Sequence, residues 1–317
     1  MYRTLASALS VILAISLSPA AAAPPADDCL LLSYFKGNGE DGLHLAFSRD
    51  GLKWTAINGG KSLLSPEVGR HKLMRDPSIV QGPDGRFHMV WTSSWSDRII
   101  GYAHSQDLIR WSKQRAIPVM MHEPEARNSW APELFYDQST GQFLIIWSTT
   151  IPGRFPQTAG SSESKYNHRI YYTKTRDFET FAPTKLFYDP GYNVIDGFLA
   201  KAGRKYLLFF KDERLHPQPK KLILMATADR VEGPYTRPTE PISPQTWIEG
   251  PSAIRLGKAW VVYFDCYRAH RYGAAMSEDL KHWTDMTDRL DVPPGTRHGT
   301  VFRVDRRILE GLQALAK

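Results

Sequence analysis

Residues 105–111 read SQDLIRW, and nearly the same phrase returns as SRDGLKW at 48–54 and SEDLKHW at 277–283. Weaker copies stand at TRDFETF (175–181) and TADRVEGPY (227–235). A repeat of this kind constrains a fold more than any single motif, because every copy must fold alike and pack on its neighbours. The aligned acids are Asp50, Asp107, Asp177, Asp229 and Asp279, and each follows a short apolar strand such as GLHLAFS, IIGYAHS or RIYYTKT. Ser, Thr and Asp oxygens accept hydrogen bonds from nearby backbone N–H groups, which suits a tight turn. The five acids therefore read as turn residues, not as ligands or catalysts.

Upstream of four copies lies a second pattern of strand, turn and aromatic-rich strand, as in DPSIVQGPDGRFHMVWT and GPSAIRLGKAWVVYFD. One unit is thus about four strands in roughly fifty residues, the size of a propeller blade. Helical periodicity is confined to RRILEGLQALAK near the C-terminus. The N-terminal LLLSYFK aligns with the second strand of a unit, and HGTVFRV (298–304) with a first strand that has no successor. Joined, the two ends complete a fifth blade and leave few open edges. The expectation is an all-β fold: a single five-bladed β-propeller domain over residues 27–317, closed by pairing its N- and C-terminal strands in one blade.

Antiparallel strands alternate direction, so the repeated turns share one face of the disc and the starts of the innermost strands share the other. On that second face fall the irregular loops: 93–98, 211–221, 265–271 and the long 148–168. Regular turns on one side and varied loops on the other describe a scaffold with a binding face. The innermost strands begin at Asp76 in MRDPSIV, Trp130–Glu133 in WAPE, Asp196 in VIDGF, Glu249 in WIEGPSA and His298 in RHGTV. Asp-Pro and Glu-Gly-Pro also serve as plain strand entries. Three acids at aligned positions on one funnel point instead to use, since crowded carboxylates repel and raise one another's pKa.

Arg3, the apolar run LASALSVILAISL and the small residues SPAAAA have the form of a secretory signal over residues 1–23. The apolar run is too short to span a bilayer, so the mature chain is expected to be exported, periplasmic or extracellular, without a membrane span. Cys29 and Cys266 read as packed thiols, although export would permit a bridge. Lys and Arg give a net charge of +7 but are scattered, which suits solubility or acidic polymers and not a nucleic-acid groove.

RDPSI, WAPE, VID, EGP and RHGT, in that order at blade spacing, give the chain a resemblance to glycoside hydrolase family 43, across essentially its whole mature length. That resemblance implies an inverting glycosidase that removes arabinofuranosyl or xylosyl units from plant cell-wall type oligo- or polysaccharides; the chain is expected to be a monomer. It implies Asp76 as general base, Glu249 as general acid, and Asp196 as the residue that orients the acid and raises its pKa. It also implies that no cofactor is required, though His298 resembles a histidine that in some members helps hold a calcium ion in the channel. Inversion needs the two carboxyls about 6.5–9.5 Å apart, with room for a water. Glu249 is expected to stay protonated near neutral pH, helped by the charge of Asp196.

Trp130 is expected to offer a sugar platform, Glu133 to contact substrate or join a buried network, and Trp95 and Phe155 to wall subsites. Arg268 and Arg271 could hold sugar hydroxyls. The long 148–168 loop is expected to close one side of the funnel and favour attack at chain ends. Two other readings remain. A fructan-cleaving propeller would carry an Asn-Asp-Pro-Asn-like motif where this chain has RDPS, and a non-catalytic glycan-binding propeller would not need all three acids.

Overall fold

The computed structural model describes residues 29–316, so the expected signal sequence at 1–23 lies outside the described residues. The strands run β1 (Cys29–Tyr34), β2 (His44–Ser48) and β3 (Thr55–Ala56), then β4 (Arg75–Gln81), β5 (Phe87–Thr92), β6 (Ile100–Ser105) and β7 (Arg115–Ile117). They continue with β8 (Trp130–Asp137), β9 (Gln142–Thr149), β10 (Arg169–Thr175) and β11 (Lys185–Tyr188), then β12 (Val194–Ala202), β13 (Lys205–Asp212) and β14 (Leu222–Ala228). Last come β15 (Glu249–Leu256), β16 (Ala259–Cys266), β17 (Arg271–Ser277), β18 (Thr284–Asp285) and β19 (Val301–Val304). They form five antiparallel sheets, the blades of a β-propeller.

The ring closes as the sequence implies. β19 takes the innermost place beside β1, with Cys29 opposite Val304 and Leu32 opposite Val301. Five apolar clusters fill the spaces between neighbouring blades, for example Leu144 and Ile146 against Leu199 and Leu208. Cys29 and Cys266 are both buried and are not bridged to each other, and they belong to different clusters. The C-terminal α1 (Arg306–Gln313) is capped by Asp305, which accepts from the N–H of Ile308, and buries Leu309 and Leu312.

Four of the five repeated phrases fold identically. In each, the Ser or Thr oxygen accepts the N–H three residues on (Gly51, Leu108, Phe178, Leu280), and the Asp carboxylate accepts the next two N–H groups. The residues at the bend have φ between 59° and 74°. In the fifth copy the strand runs on to Ala228, one residue past Thr227, and Asp229 instead pairs with the exposed Lys205. That blade has three strands, not the expected four. Residues 236–242 follow β14, but Pro238 and Pro241 lack N–H groups. Thr236 and Thr239 compensate: their hydroxyls accept from the N–H groups of Thr227 and Met225.

Candidate active site

Each of the first four innermost strands opens on a bulge. The ladder shifts register between Arg75 and Ser78, Trp130 and Glu133, Ile195 and Phe198, and Glu249 and Ser252. Inside each bulge one residue is left-handed: Asp76 (φ 53°), Ala131 (46°), Asp196 (54°) and Gly250 (61°). Such a conformation costs a non-glycine residue on the order of 1–3 kcal/mol and is held only where the surroundings impose it. The preceding blade helps to impose it. Thr92 accepts the N–H of Ala131 at 2.8 Å, and Ser148 accepts that of Asp196 at 3.2 Å.

The bulges correct the sequence alignment by one residue. The position equivalent to Asp76 and Asp196 is Gly250; Glu249 matches Arg75, Trp130 and Ile195. A side chain at Gly250 would place its Cβ 2.2 Å from Cγ of His298, so that blade reaches the funnel from the preceding residue.

Asp76, Asp196, Glu249, His298, Trp95 and Trp130 line one cavity of about 400 Å³, within the range of ligand sites. Oδ2 of Asp76 accepts from the Thr92 hydroxyl at 2.8 Å, and Oδ1 lies 3.3 Å from Nδ1 of His298. Burial alone would raise the Asp76 pKa, but His298, Arg75 and Thr92 outweigh it and hold it at about 2. Burial likewise opposes charge on His298, yet the facing carboxylates of Asp76, Asp196 and Glu249 raise it to about 9. Oδ2 of Asp196 accepts the N–H of Gly250 at 3.1 Å and lies 4.0 Å from His298. Burial, with Glu249 and Asp76 nearby, pushes Asp196 up.

Glu249 differs from expectation. Burial favours its neutral form, but Lys211 at 3.0 Å and Arg297 at 3.2 Å outweigh burial and lower its pKa. Lys211 stands opposite Ile195 and Asp265 opposite Glu249 in the ladders, and Asp265 pairs with Arg297. The sequence reading missed Lys211, Arg297 and Asp265. Only Arg297, beside His298 in the RHGT motif, carried a signal.

Trp130 donates its indole N–H to the carbonyl of Trp95 at 3.0 Å, and the two rings meet edge to face at 5.5 Å. Behind Trp130 packs Tyr166 from the long loop, at 4.7 Å. Glu133 is buried, raised by that burial to about 8, and accepts from the Thr300 hydroxyl. Glu133 and three other expected contacts lie outside the cavity lining. Phe155 packs on Arg169, Arg268 lies over the Trp247 ring, and Arg271 pairs with Asp288.

The residues around His298 do not fit a calcium ion, which takes about six to eight oxygen ligands. Nδ1 of His298 faces carboxylates as a proton donor, and among the described residues no three His, Cys, Asp or Glu side chains are grouped to hold a metal. What the site offers is acid–base chemistry: a strongly ionised carboxylate, a second carboxylate among cations, and a third whose proton is held near neutrality.

A family model described as "Probable glycosyl hydrolase domain" matches residues 27–310. An α-L-arabinofuranosidase of Bifidobacterium longum subsp. longum is 24% identical over 240 residues, 63% of this chain; the chain spans only 22% of that relative's length. Among solved structures, an α-L-arabinofuranosidase from Lactobacillus brevis (17% identity, TM-score 0.53) covers 67% of this chain and 72% of its own. A GH43_1 enzyme from Xanthomonas citri (14% identity, TM-score 0.54) covers 74% and 83%. At these identities the structural likeness speaks for the fold.

Proposed function

The chain belongs to a glycosyl hydrolase family related to glycoside hydrolase family 43, and from that premise we propose that it cleaves terminal glycosidic bonds with inversion, releasing arabinofuranosyl or xylosyl units. Asp76 is the general base, Glu249 the general acid and Asp196 the residue that orients and tunes the acid. The observation that carries this reading is the meeting of the three carboxyls in one cavity beside two tryptophans. Aromatic faces suit sugar rings, and Trp95 is exposed enough to receive one.

In the proposed reaction Asp76 takes a proton from a water as its oxygen attacks the anomeric carbon. The bond to the leaving oxygen breaks, and Glu249 protonates that oxygen. Asp76 is well placed to remain ionised, with His298 and Thr92 fixing both its oxygens. Glu249 must gain a proton before it can act. Glycan binding expels water from the cavity, and desolvation drives a carboxyl towards its neutral form. Asp196 binds the N–H of Gly250, next to Glu249, so it can fix the acid through the backbone.

The test is sugar release by the mature protein from aryl α-L-arabinofuranoside and β-D-xyloside, with the anomer of the product followed by NMR. Inverted product, lost in Asp76→Asn, is expected. Product of retained configuration would overturn the mechanism, and no release from these or from longer glycans would overturn the activity.

A further inference from the structure

We propose that Arg75 binds the carboxylate of a uronic acid in the glycan, so that the substrate is an acidic oligosaccharide; this rests on the glycosidase reading above. Arg75, Lys211, Arg297 and His298 are the cationic side chains lining the cavity. Three of them face carboxylates. Lys211 pairs with Glu249 and Glu213, Arg297 with Glu249 and Asp265, and His298 with Asp76.

Arg75 stands apart. Its Nη1 donates to Oδ1 of Asn38 at 3.1 Å, a neutral acceptor, and it enters no ion pair among the described residues. The rings of Phe35 and Trp95 lie 4.5 and 4.3 Å from its guanidinium carbon. Aromatic contacts take up the face of a guanidinium and leave its in-plane N–H fork for a ligand, and that fork matches a carboxylate. Asp76 and Glu40 feel its charge, but neither bonds it directly, and a half-buried guanidinium without a bonded carboxylate has lost hydration that an anionic ligand would restore.

The position is built, not incidental. Gly39 has φ 86°, and a Cβ there would lie 2.8 Å from the Met74 carbonyl and 2.9 Å from Cγ of Arg75. The N–H of Met74 donates to the Gly39 carbonyl at 2.8 Å, closing the loop that carries Asn38 onto the Arg75 strand. Trp95, 40% exposed, then sets a sugar platform beside the cation. The chain's net charge of +7 would draw polyanions from a distance.

Three matched oligosaccharides releasing the same sugar test this: one with a uronate beside the cleaved bond, one with that carboxylate reduced to an alcohol, and one with a sulfate ester. The native protein is expected to favour the uronate over the alcohol by about tenfold or more in kcat/KM. That ratio should fall towards one in Arg75→Gln and survive in part in Arg75→Lys. No native preference, or a ratio unchanged in Arg75→Gln, overturns the proposal; equal or greater preference for sulfate overturns the carboxylate assignment. If none of the three is cleaved, the hydrolase reading fails separately. Calorimetric binding of the uronate and the alcohol to the native protein and Arg75→Gln then decides whether the carboxylate site exists.

Discussion

Nζ of Lys211 lies 3.0 Å from Oε2 of Glu249 and 2.8 Å from Oε2 of Glu213, with the lysine side chain only 2% exposed. Burial opposes its charge, but the two carboxylates outweigh that and raise its pKa well above the usual lysine value. The pair therefore rests as ammonium and carboxylate, while the proposed acid must act as carboxylic acid. Lys211 thus stands against the protonation that Glu249 needs.

Lys211→Met makes that opposition measurable. Losing the cation raises the Glu249 pKa, so more of it is protonated at any given pH. The alkaline limb of kcat/KM against pH, which reports the acid, should move up by about one unit or more. Glu213 keeps Lys221 at 2.5 Å, so it is not left unpaired. Breaking the buried pair should still cost about 3 kcal/mol in denaturant unfolding. An unmoved alkaline limb would mean that Lys211 does not govern the acid.

The pairing of His298 with Asp76 gives a stability signature at alkaline pH. A histidine raised from 6.5 to about 9 in the folded state contributes stability that is full below pH 6.5 and lost as pH climbs through 9. The native protein should lose on the order of 3 kcal/mol at most across that window. In His298→Gln the decline should flatten. Urea melts at pH 6.5, 8 and 9 check this, and an equal slope in both proteins would show that His298 is not charged when folded.

Gly250 and Gly203 share nearly the same left-handed backbone, φ 61° and 59°. A Cβ at Gly203 meets nothing within 4 Å, whereas at Gly250 it strikes His298. Gly203→Ala should therefore cost about 1–2 kcal/mol of conformational strain. Gly250→Ala should cost more, and it should cut kcat far beyond any loss of folded protein because it displaces His298 from Asp76. Similar effects at both sites in thermal melts and turnover would show that the close approach to His298 does not matter.

What the sequence made legible was local or periodic. The S-x-D turns could be read because their hydrogen bonds join residues two or three apart, but the copy TADRVEGPY keeps its Thr227 and still folds differently, because its strand runs on to Ala228. Ring closure could be read because LLLSYFK aligns with the second strand of a unit and HGTVFRV with a first strand. Asp76, Asp196 and Glu249 could be found by blade spacing, but the one-residue offset of Glu249 could not, since it follows from a bulge and from the space His298 takes at Gly250. Lys211 was hidden for another reason. In FFKDE it looks like the solvated end of a strand, and only pairing with the next blade buries it against Glu249. Phe155 was misplaced on similar grounds, because its partner Arg169 is a buried cation that no local pattern announces.

Glu249→Gln separates an acid from a binding residue through the leaving group. General acid catalysis matters most when the departing oxygen is strongly basic, as in a natural glycan linkage, and little when it departs as the anion of an acidic phenol. Glu249→Gln should lose about a thousandfold in kcat on a natural linkage and much less on a 2,4-dinitrophenyl glycoside, while glycan binding persists. Asp76→Asn removes the base that activates water, so it should lose heavily on both substrates. The contrast is the point of the measurement. Equal losses on both substrates in Glu249→Gln would remove it from the acid role, and its Lys211 and Arg297 ion pairs would then stand as the resting state of a sugar-binding carboxylate.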